Sequence, residues 1–190
     1  MGVRRKRRPV ILFAGLLSGD ADLIRRARQL LSRRFGPIEF ESDMWTFHHT
    51  DYYESEMGPN LKRAFVSFER MIGPDALSEI KHETNAIEQR IADDCAGLEI
   101  LRPVNIDPGY VDLGKMVLAS TKDAAHRVYL GNGIYAECTL RYEGHEWRTW
   151  PWTYPDYHEP TYHAFFQRVR ERLKQRFDQQ PEPDDSGRSA

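Results

Sequence analysis

Apolar residues recur with the period of a helix in three segments of the chain. Residues 22–35 place their apolar side chains on one helical face, at Leu23, Ile24, Ala27, Leu30 and Leu31. Asp20 precedes this segment as a candidate N-cap, and Gly36-Pro37 follows it as a stop signal. Residues 75–96 and 159–177 show the same period, so the pattern predicts three helices. Lys81 is expected on the outer face of the second helix, and Gly97 follows that helix as a stop signal.

Other segments are apolar without interruption or alternate with a period of two, which is typical of strands. The predicted strands are residues 10–17, 38–41, 61–71 and 116–120, together with the two arms 127–130 and 134–142. Asn132-Gly133 lies between the last two arms, and an Asn-Gly pair between strand-like runs predicts a tight hairpin. We therefore expect Gly133 at a positive φ angle. Asn105–Tyr110 contains Pro108-Gly109 and is interpreted as a turn.

The predicted order is β-α-β-β-α-β-β-β-α, which indicates an α+β fold with a largely antiparallel sheet packed by two or three helices. With 190 residues, the chain suits one domain, predicted over residues 9–177. Residues 1–8 form a basic arm. Residues 178–190 are acidic and lack an apolar face, so they are predicted to be disordered.

Charge and cysteine content narrow the class of protein. The formal net charge is −2, and because the arm is strongly basic and the tail acidic, the body between them is mildly acidic. Such a body argues against extensive contact with nucleic-acid phosphates. Cys95 and Cys138 are too far apart for a zinc knuckle or a disulfide framework, and no apolar run is long enough for a membrane span. We predict a cytoplasmic protein, and we interpret the arginines of the first helix as a solvated face.

The second hairpin arm provides the candidate site. Its polar residues, Tyr135, Glu137, Thr139 and Arg141, alternate with Ile134, Ala136, Cys138 and Leu140, so we expect a polar face that lines a cleft. Asp107 is expected to share this cleft with Glu137. Two carboxylates can hold a divalent metal or divide the work of general acid and base. His126 is the group nearby that can exchange a proton near neutral pH.

The candidate catalytic residues are therefore Asp107, His126 and Glu137, with Asp107 and Glu137 as candidate metal ligands. Positive and aromatic side chains nearby suit a phosphate group and a planar ring. The candidate ligand-binding residues are Asn105, Tyr110, Lys115, Lys122, Arg127, Trp152 and Tyr154. Each has a structural alternative: Asp107 can cap its own turn, the basic groups can be solvated, His126 can be structural, and the rings around Trp152 can form an apolar lid.

Three stretches of the sequence resemble a bacterial family known as domain of unknown function 4416. They are TDYYESEMGPNLKR at residues 50–63, the segment 102–140, and PWTYPDY at residues 151–157, and the resemblance covers residues 9–177. It implies no established activity, although members are sometimes labelled GTP-binding proteins. The chain lacks the GxxxxGK[ST] phosphate loop of GTPases. Residues 15–20 follow a strand and precede a helix, but lack the second glycine and the lysine.

The residues favour a protein that binds a phosphorylated small molecule or a nucleotide, with a divalent metal as the one cofactor considered. They leave catalysis and oligomeric state open. Two other functions remain open: a non-catalytic module for protein interaction, in which the same aromatic and charged groups contact a partner, and RNA binding aided by the basic arm.

Overall fold

A computed structural model describes residues 7–48, 54–96 and 100–179 of the chain. The strands are β1 Val10–Ser18, β2 Ile38–Glu41, β3 Trp45–Thr46, β4 Lys62–Ile72, β5 Asn105–Val111, β6 Lys115–Ser120, β7 Val128–Gly131, β8 Ile134–Glu143 and β9 Glu146–Thr149. The helices are α1 Ala21–Phe35, the single turn α2 Glu54–Met57, α3 Leu77–Asp94 and α4 Pro160–Gln179. Short 3₁₀ turns at Pro74–Ala76 and Pro155–His158 precede α3 and α4.

The strands form one sheet in which every pairing is antiparallel. The order is β2-β4-β1-β5-β6-β8-β7, with β3 on β4 and β9 on β8. This sheet with its three longer helices confirms the predicted α+β fold class and order of elements. In the part of the chain that the structure describes, no helix has the length and apolar character needed to cross a membrane.

Helices cover both faces of the sheet. Phe166 and Val169 of α4 pack with Phe13 of β1 on one face, and Leu31 of α1 and Ile91 of α3 pack with the other. Because both faces are covered, every residue of β1 is buried, which explains why its apolar run shows no alternation.

Local signals set the ends of the helices and the hairpin tip. The Asp20 side chain accepts a hydrogen bond from the Asp22 amide at 2.7 Å and caps α1, and Gly36 ends that helix with φ of 100°. At the hairpin tip Asn132 has φ of 54° and Gly133 has φ of 74°. These two positive angles confirm the predicted two-residue turn.

Asn105–Tyr110 was expected to form a turn, and that expectation is wrong. The segment is strand β5, which pairs with β1 along Asn105–Val111 and with β6 only at Gly109–Val111. Pro108 therefore lies where β5 has one paired neighbour, a position like a sheet edge that tolerates the missing N–H. A Cβ on Gly109 would lie 2.6 Å from the Phe13 ring, so this glycine allows close packing rather than a turn.

The other predicted bounds agree with the structure to within a few residues. The structure gives α3 as Leu77–Asp94, where residues 75–96 were expected, and the Gly97 stop signal lies outside the described residues. Most of the basic arm (residues 1–6) and the tail from residue 180 lie outside them too. Residues 178 and 179 are described as the end of α4.

Candidate functional site

Strand register places the two candidate carboxylates on the same face of the sheet. Glu137 of β8 pairs with Leu118 of β6, and Leu118 pairs with Gly109 of β5. Paired residues point to the same side, and residues two apart on a strand share a face, so Asp107 lies on the face of Glu137. Leu118 belongs to the core under α4, so this is the α4 face.

Glu137 is 1% exposed and is the centre of a group of polar contacts that we call the Glu137 cluster: Glu137, Thr139, His126 and Arg127. One carboxylate oxygen, Oε2, accepts from Arg127 Nε at 3.0 Å and from His126 Nε2 at 3.1 Å. The other accepts from Thr139 Oγ1 at 3.1 Å. The buried charge is thus paired and hydrogen-bonded through both oxygens.

The centre of the polar face of β8, Glu137 and Thr139, is therefore buried rather than open to a cleft. Residues 150–154 lie across it: Thr153 Oγ1 donates to the Thr139 carbonyl at 2.6 Å, and Trp152 Nε1 donates to the Cys138 carbonyl at 3.2 Å. A bulge between the Val117 and Met116 pairings also breaks the simple alternation of the strand, so that Leu140 joins the core on the α4 face. Burial raises the pKa of the Cys138 thiol, which keeps it protonated.

Arg127 connects the hairpin to the loop that covers it. Its Nη1 donates to Ser120 Oγ at 3.0 Å and to the Lys122 carbonyl at 2.8 Å, and its Nη2 donates to the Tyr154 hydroxyl. Burial alone would lower the pKa of Arg127, but the hydrogen bonds and charges of Glu137 and Tyr154 together outweigh burial and raise the pKa. All three guanidinium nitrogens have protein partners, so Arg127 holds the site together rather than clamping a ligand.

His126 ends a column of stacked side chains that we call the His126 stack: Arg141, Trp150, Trp152 and His126. The Arg141 guanidinium lies 4.2 Å from the Trp150 ring centre. Trp150 and Trp152 are parallel with centroids 5.1 Å apart, and Trp152 stacks on His126 at 5.5 Å. Glu137 and Trp152 therefore fix both the edge and one face of the imidazole, while 26% of its side chain stays exposed.

A second buried group on this face, the Arg63 network, consists of Arg63, Asp107, Asp156, Lys81 and Asn105. Arg63 is 4% exposed and lies 3.4 Å from Asp107 Oδ2 and 3.3 Å from Asp156 Oδ2. Asn105 Nδ2 donates to Asp107 Oδ2 at 2.6 Å. Burial alone would raise the pKa of Asp107, but the charges of Lys81 and Arg63 outweigh it and lower the pKa.

Tyr154 lies within electrostatic reach of both groups. Burial raises the pKa of its hydroxyl, Arg127 opposes that shift, and the negative charges of Glu137 and Asp107 add to it. The Glu137 cluster and the Arg63 network are therefore neighbours on the α4 face, with Tyr154 close to each.

Lys81 was expected on the outside of its helix, and this expectation is wrong. It is 5% exposed, and its Nζ donates to the Ile106 carbonyl at 2.9 Å and lies 3.8 Å from Asp107 Oδ1. Glu88, about two turns further along α3, accepts from the Ile106 amide at 2.7 Å. Burial raises the pKa of Glu88. The Lys81 and Glu88 side chains therefore make the hydrogen bonds of the Ile106 carbonyl and amide, in the part of β5 that does not pair with β6.

Not every candidate residue joins the site. Tyr110 points to the α3 face and packs with Leu77 and Val117, because β5 alternates and Asp107 takes the α4 face. Lys115 lies at the far end of β6 from Ser120, with its Nζ 3.8 Å from Asp112 Oδ2. These two residues therefore lie apart from the other candidates.

The remaining candidates divide between the two groups. Three candidates belong to the Glu137 cluster itself: His126, Arg127 and Glu137. Trp152 and Tyr154 lie beside it, and Lys122 contributes its carbonyl to Arg127. Asp107 and Asn105 belong to the Arg63 network. Within the described residues, no group of three or more His, Cys, Asp or Glu side chains converges as a metal site would require. Asp107 and Glu137 each have an arginine partner, so the geometry favours ion pairing over metal ligation for both.

Sequence reasoning did not single out Arg63, although a signal was present. Arg63 precedes the alternating run of β4, two residues before Phe65, and so falls on the same side of the strand as that core residue. A cation on a core-facing position needs a buried anion. In the structure, Asp156 and Asp107 provide the negative charge that Arg63 needs.

These features define the class: an α+β protein with an open antiparallel sheet between two layers of helices and paired ionic groups on its α4 face. The family model for Domain of unknown function (DUF4416) matches residues 8–173, so the chain belongs to that family. Comparison with the curated proteins gave no significant match, and comparison with the solved structures gave none.

Proposed function

We propose that this protein binds a small phosphorylated ligand, of the size of a nucleotide, on the surface formed by His126, Trp152 and Tyr154. One observation carries the proposal: an imidazole oriented by a buried carboxylate stands at the end of an aromatic stack, beside two rings that are 38% and 39% exposed. Such a group of fixed rings next to a protonatable nitrogen suits a ligand with a planar ring and an anion.

The anion would be recognised through His126. Its Nε2 is occupied by Glu137, so Nδ1 is the nitrogen left for a ligand; among the described residues it has no hydrogen-bond partner. A protonated imidazole donates a charge-assisted bond from Nδ1 to a phosphate oxygen. Lys122 lies on the same loop and adds positive charge.

The planar ring would be recognised by stacking. Trp152 and Tyr154 are the exposed aromatic side chains of residues 150–154. A base that stacks on one such ring gains about 1–3 kcal/mol. Trp152 is enclosed between Trp150 and His126, so the base is proposed to stack on Tyr154, whose ring centre lies 6.0 Å from the Arg127 guanidinium. Because Arg127 already holds Tyr154, little side-chain freedom is lost on binding.

His126 and Glu137 also have the arrangement of a general base and its orienting carboxylate. The two roles belong to two protonation states: Nδ1 of a neutral His126 can accept a proton, Nδ1 of a protonated His126 donates to the phosphate, and Glu137 fixes the ring in both. Asp107 stays ionised among its basic neighbours and contributes negative charge on the same face.

The test is thermal stabilisation by ATP, GTP, phosphosugars and inorganic phosphate, with isothermal titration for any compound that stabilises. A ligand at one hundred times its dissociation constant adds about 2.7 kcal/mol to the free energy of unfolding. His126→Ala should remove most of this gain, and His48→Ala, an exposed histidine elsewhere, should leave it unchanged. Equal stabilisation of the two variants would overturn the proposal. So would the finding that no compound of the set stabilises the wild type.

Strand β7 favours a second candidate function, a protein-interaction module. It is the last strand of the sheet order, and Val128, Tyr129 and Leu130 are 67%, 59% and 41% exposed. An exposed apolar edge strand can accept a further strand from a partner. Two results together would favour this function over the first. One is strong chemical cross-linking through Tyr129 in the wild type that is lost on Val128→Lys, and the other is no stabilisation by phosphorylated compounds.

A further inference from the structure

Helices α1 and α3 enclose a groove on the side of the sheet opposite to Glu137. Its volume is about 420 Å³, which is within the range of small-molecule sites. Leu30 of α1 and Ile87 of α3 form an apolar floor that rests on the core, and Ala86 lies beside them.

Two ion pairs connect the helices, and one of them, Arg34–Glu83, lines the groove. Arg34 of α1 pairs with Glu83 of α3, and Arg26 of α1 pairs with Asp94 of α3. The two helices therefore run antiparallel, and Leu30 lies midway between the pairs. Eight residues separate Arg26 from Arg34, which corresponds to about 12 Å along the helix.

Charge in and around the groove is unbalanced. Arg33 and Arg90 also line it, and neither has an acidic or hydrogen-bond partner among residues 7–48, 54–96 and 100–179. Three arginines thus line the groove with one carboxylate, Glu83, in a chain whose formal net charge is −2. An apolar floor with an excess of positive charge at its rim complements a molecule that is apolar along its length and anionic at one end.

We propose that this groove binds a single-chain amphiphile with an anionic head group. Its alkyl chain lies on Leu30 and Ile87, and its head group lies between Arg33 and Arg90. The site is separate from the His126 surface, since α1 and α3 cover the other face of the sheet. It also changes the interpretation of the α1 arginines, of which Arg33 becomes a ligand contact rather than part of a solvated face.

The experiment is isothermal titration of the full chain with monomeric decyl phosphate and with decanol. We expect saturable binding of one decyl phosphate per chain and binding of decanol at least tenfold weaker. Arg33→Gln/Arg90→Gln should weaken decyl phosphate at least tenfold and leave decanol unchanged. Ala86→Trp, a change at an exposed helix position, should fill the groove and remove binding of both.

Matched controls decide where the ligand sits. Arg25→Gln/Arg148→Gln removes two exposed arginines elsewhere and should leave binding unchanged. Decyl phosphate binding that is lost on His126→Ala would place the ligand at the other site and overturn this proposal. So would the absence of saturable binding to the wild type, unchanged binding by either groove variant, or binding only to anionic vesicles.

Discussion

Glu137→Gln tests the central feature of the Glu137 cluster, because it removes one charge and keeps the shape of the side chain. In the wild type, the Arg127 side chain is 6% exposed and the Glu137 side chain 2%. The substitution leaves the guanidinium buried without its counter-charge. Removing one partner of a buried ion pair costs about 3–5 kcal/mol in comparable cases.

The other contacts of Arg127 reduce the cost expected for Glu137→Gln. Arg127 keeps its bonds to Ser120, Lys122 and Tyr154, and the glutamine amide oxygen can still accept one hydrogen bond. We therefore expect the free energy of unfolding to fall by about 2–4 kcal/mol. For a chain of this length, each kcal/mol lowers the melting temperature by about 2–4 °C.

Urea denaturation at neutral pH, followed by circular dichroism, measures the change directly. Glu143→Gln is the control: its partner Arg141 is also on β8, but the Glu143 side chain is 64% exposed and its loss should cost less than about 1 kcal/mol. The double variant Arg127→Gln/Glu137→Gln should be more stable than the sum of the single effects predicts, by about 2 kcal/mol. A loss below 1 kcal/mol for Glu137→Gln, with no coupling, would refute the argument that this pair is buried and mutually dependent.

Three further predictions concern the backbone and the Arg63 network. Gly133→Val should destabilise by about 1–3 kcal/mol because valine is strained at φ of 74°, and an unchanged urea midpoint would count against the turn. Gly109→Ala should cost at least about 2 kcal/mol in the same assay, since its Cβ would lie 2.6 Å from the Phe13 ring, whereas Gly114→Ala meets nothing within 4 Å and should change stability little. The pKa of Asp107 would be raised by burial alone, but its basic neighbours lower it, so its carboxylate stabilises the fold above the unfolded pKa of about 4 and less as pH falls through the folded pKa. Asp107→Asn should therefore flatten the acid side of a stability–pH curve from urea titrations, and a curve parallel to that of the wild type would contradict this.

Much of the fold could be predicted because its signals are local. The helix period, the Asp20 cap and the Gly36 stop lie within one segment of chain, and the Asn132-Gly133 turn depends on two residues alone. Each of these was predicted from neighbours in sequence and was found in the structure. The family resemblance was likewise carried by contiguous motifs and is confirmed by the match over residues 8–173.

Elements that depend on distant partners were less predictable. Pro108-Gly109 has the local signature of a turn, but pairing with β1, about ninety residues earlier, extends it into a strand. Lys81 looked like an outer helix residue, and only the packing of α3 against β5 shows that its ammonium group serves the Ile106 carbonyl. Propensity acts within a segment, whereas pairing and burial depend on the rest of the fold.

The sequence by itself determined most of the elements of this protein, their order and the residues able to carry charge or stack. Tertiary structure decided which of those residues meet. It buried the polar face of β8 under residues 150–154, so Glu137 became a buried partner of Arg127 and His126 instead of an open cleft carboxylate. It also brought Arg63, Asp107 and Asp156 together from three separate parts of the chain. The physical reason is that a buried charge requires an opposite charge nearby, and strand register, which no local pattern specifies, determines which opposite charge is within reach.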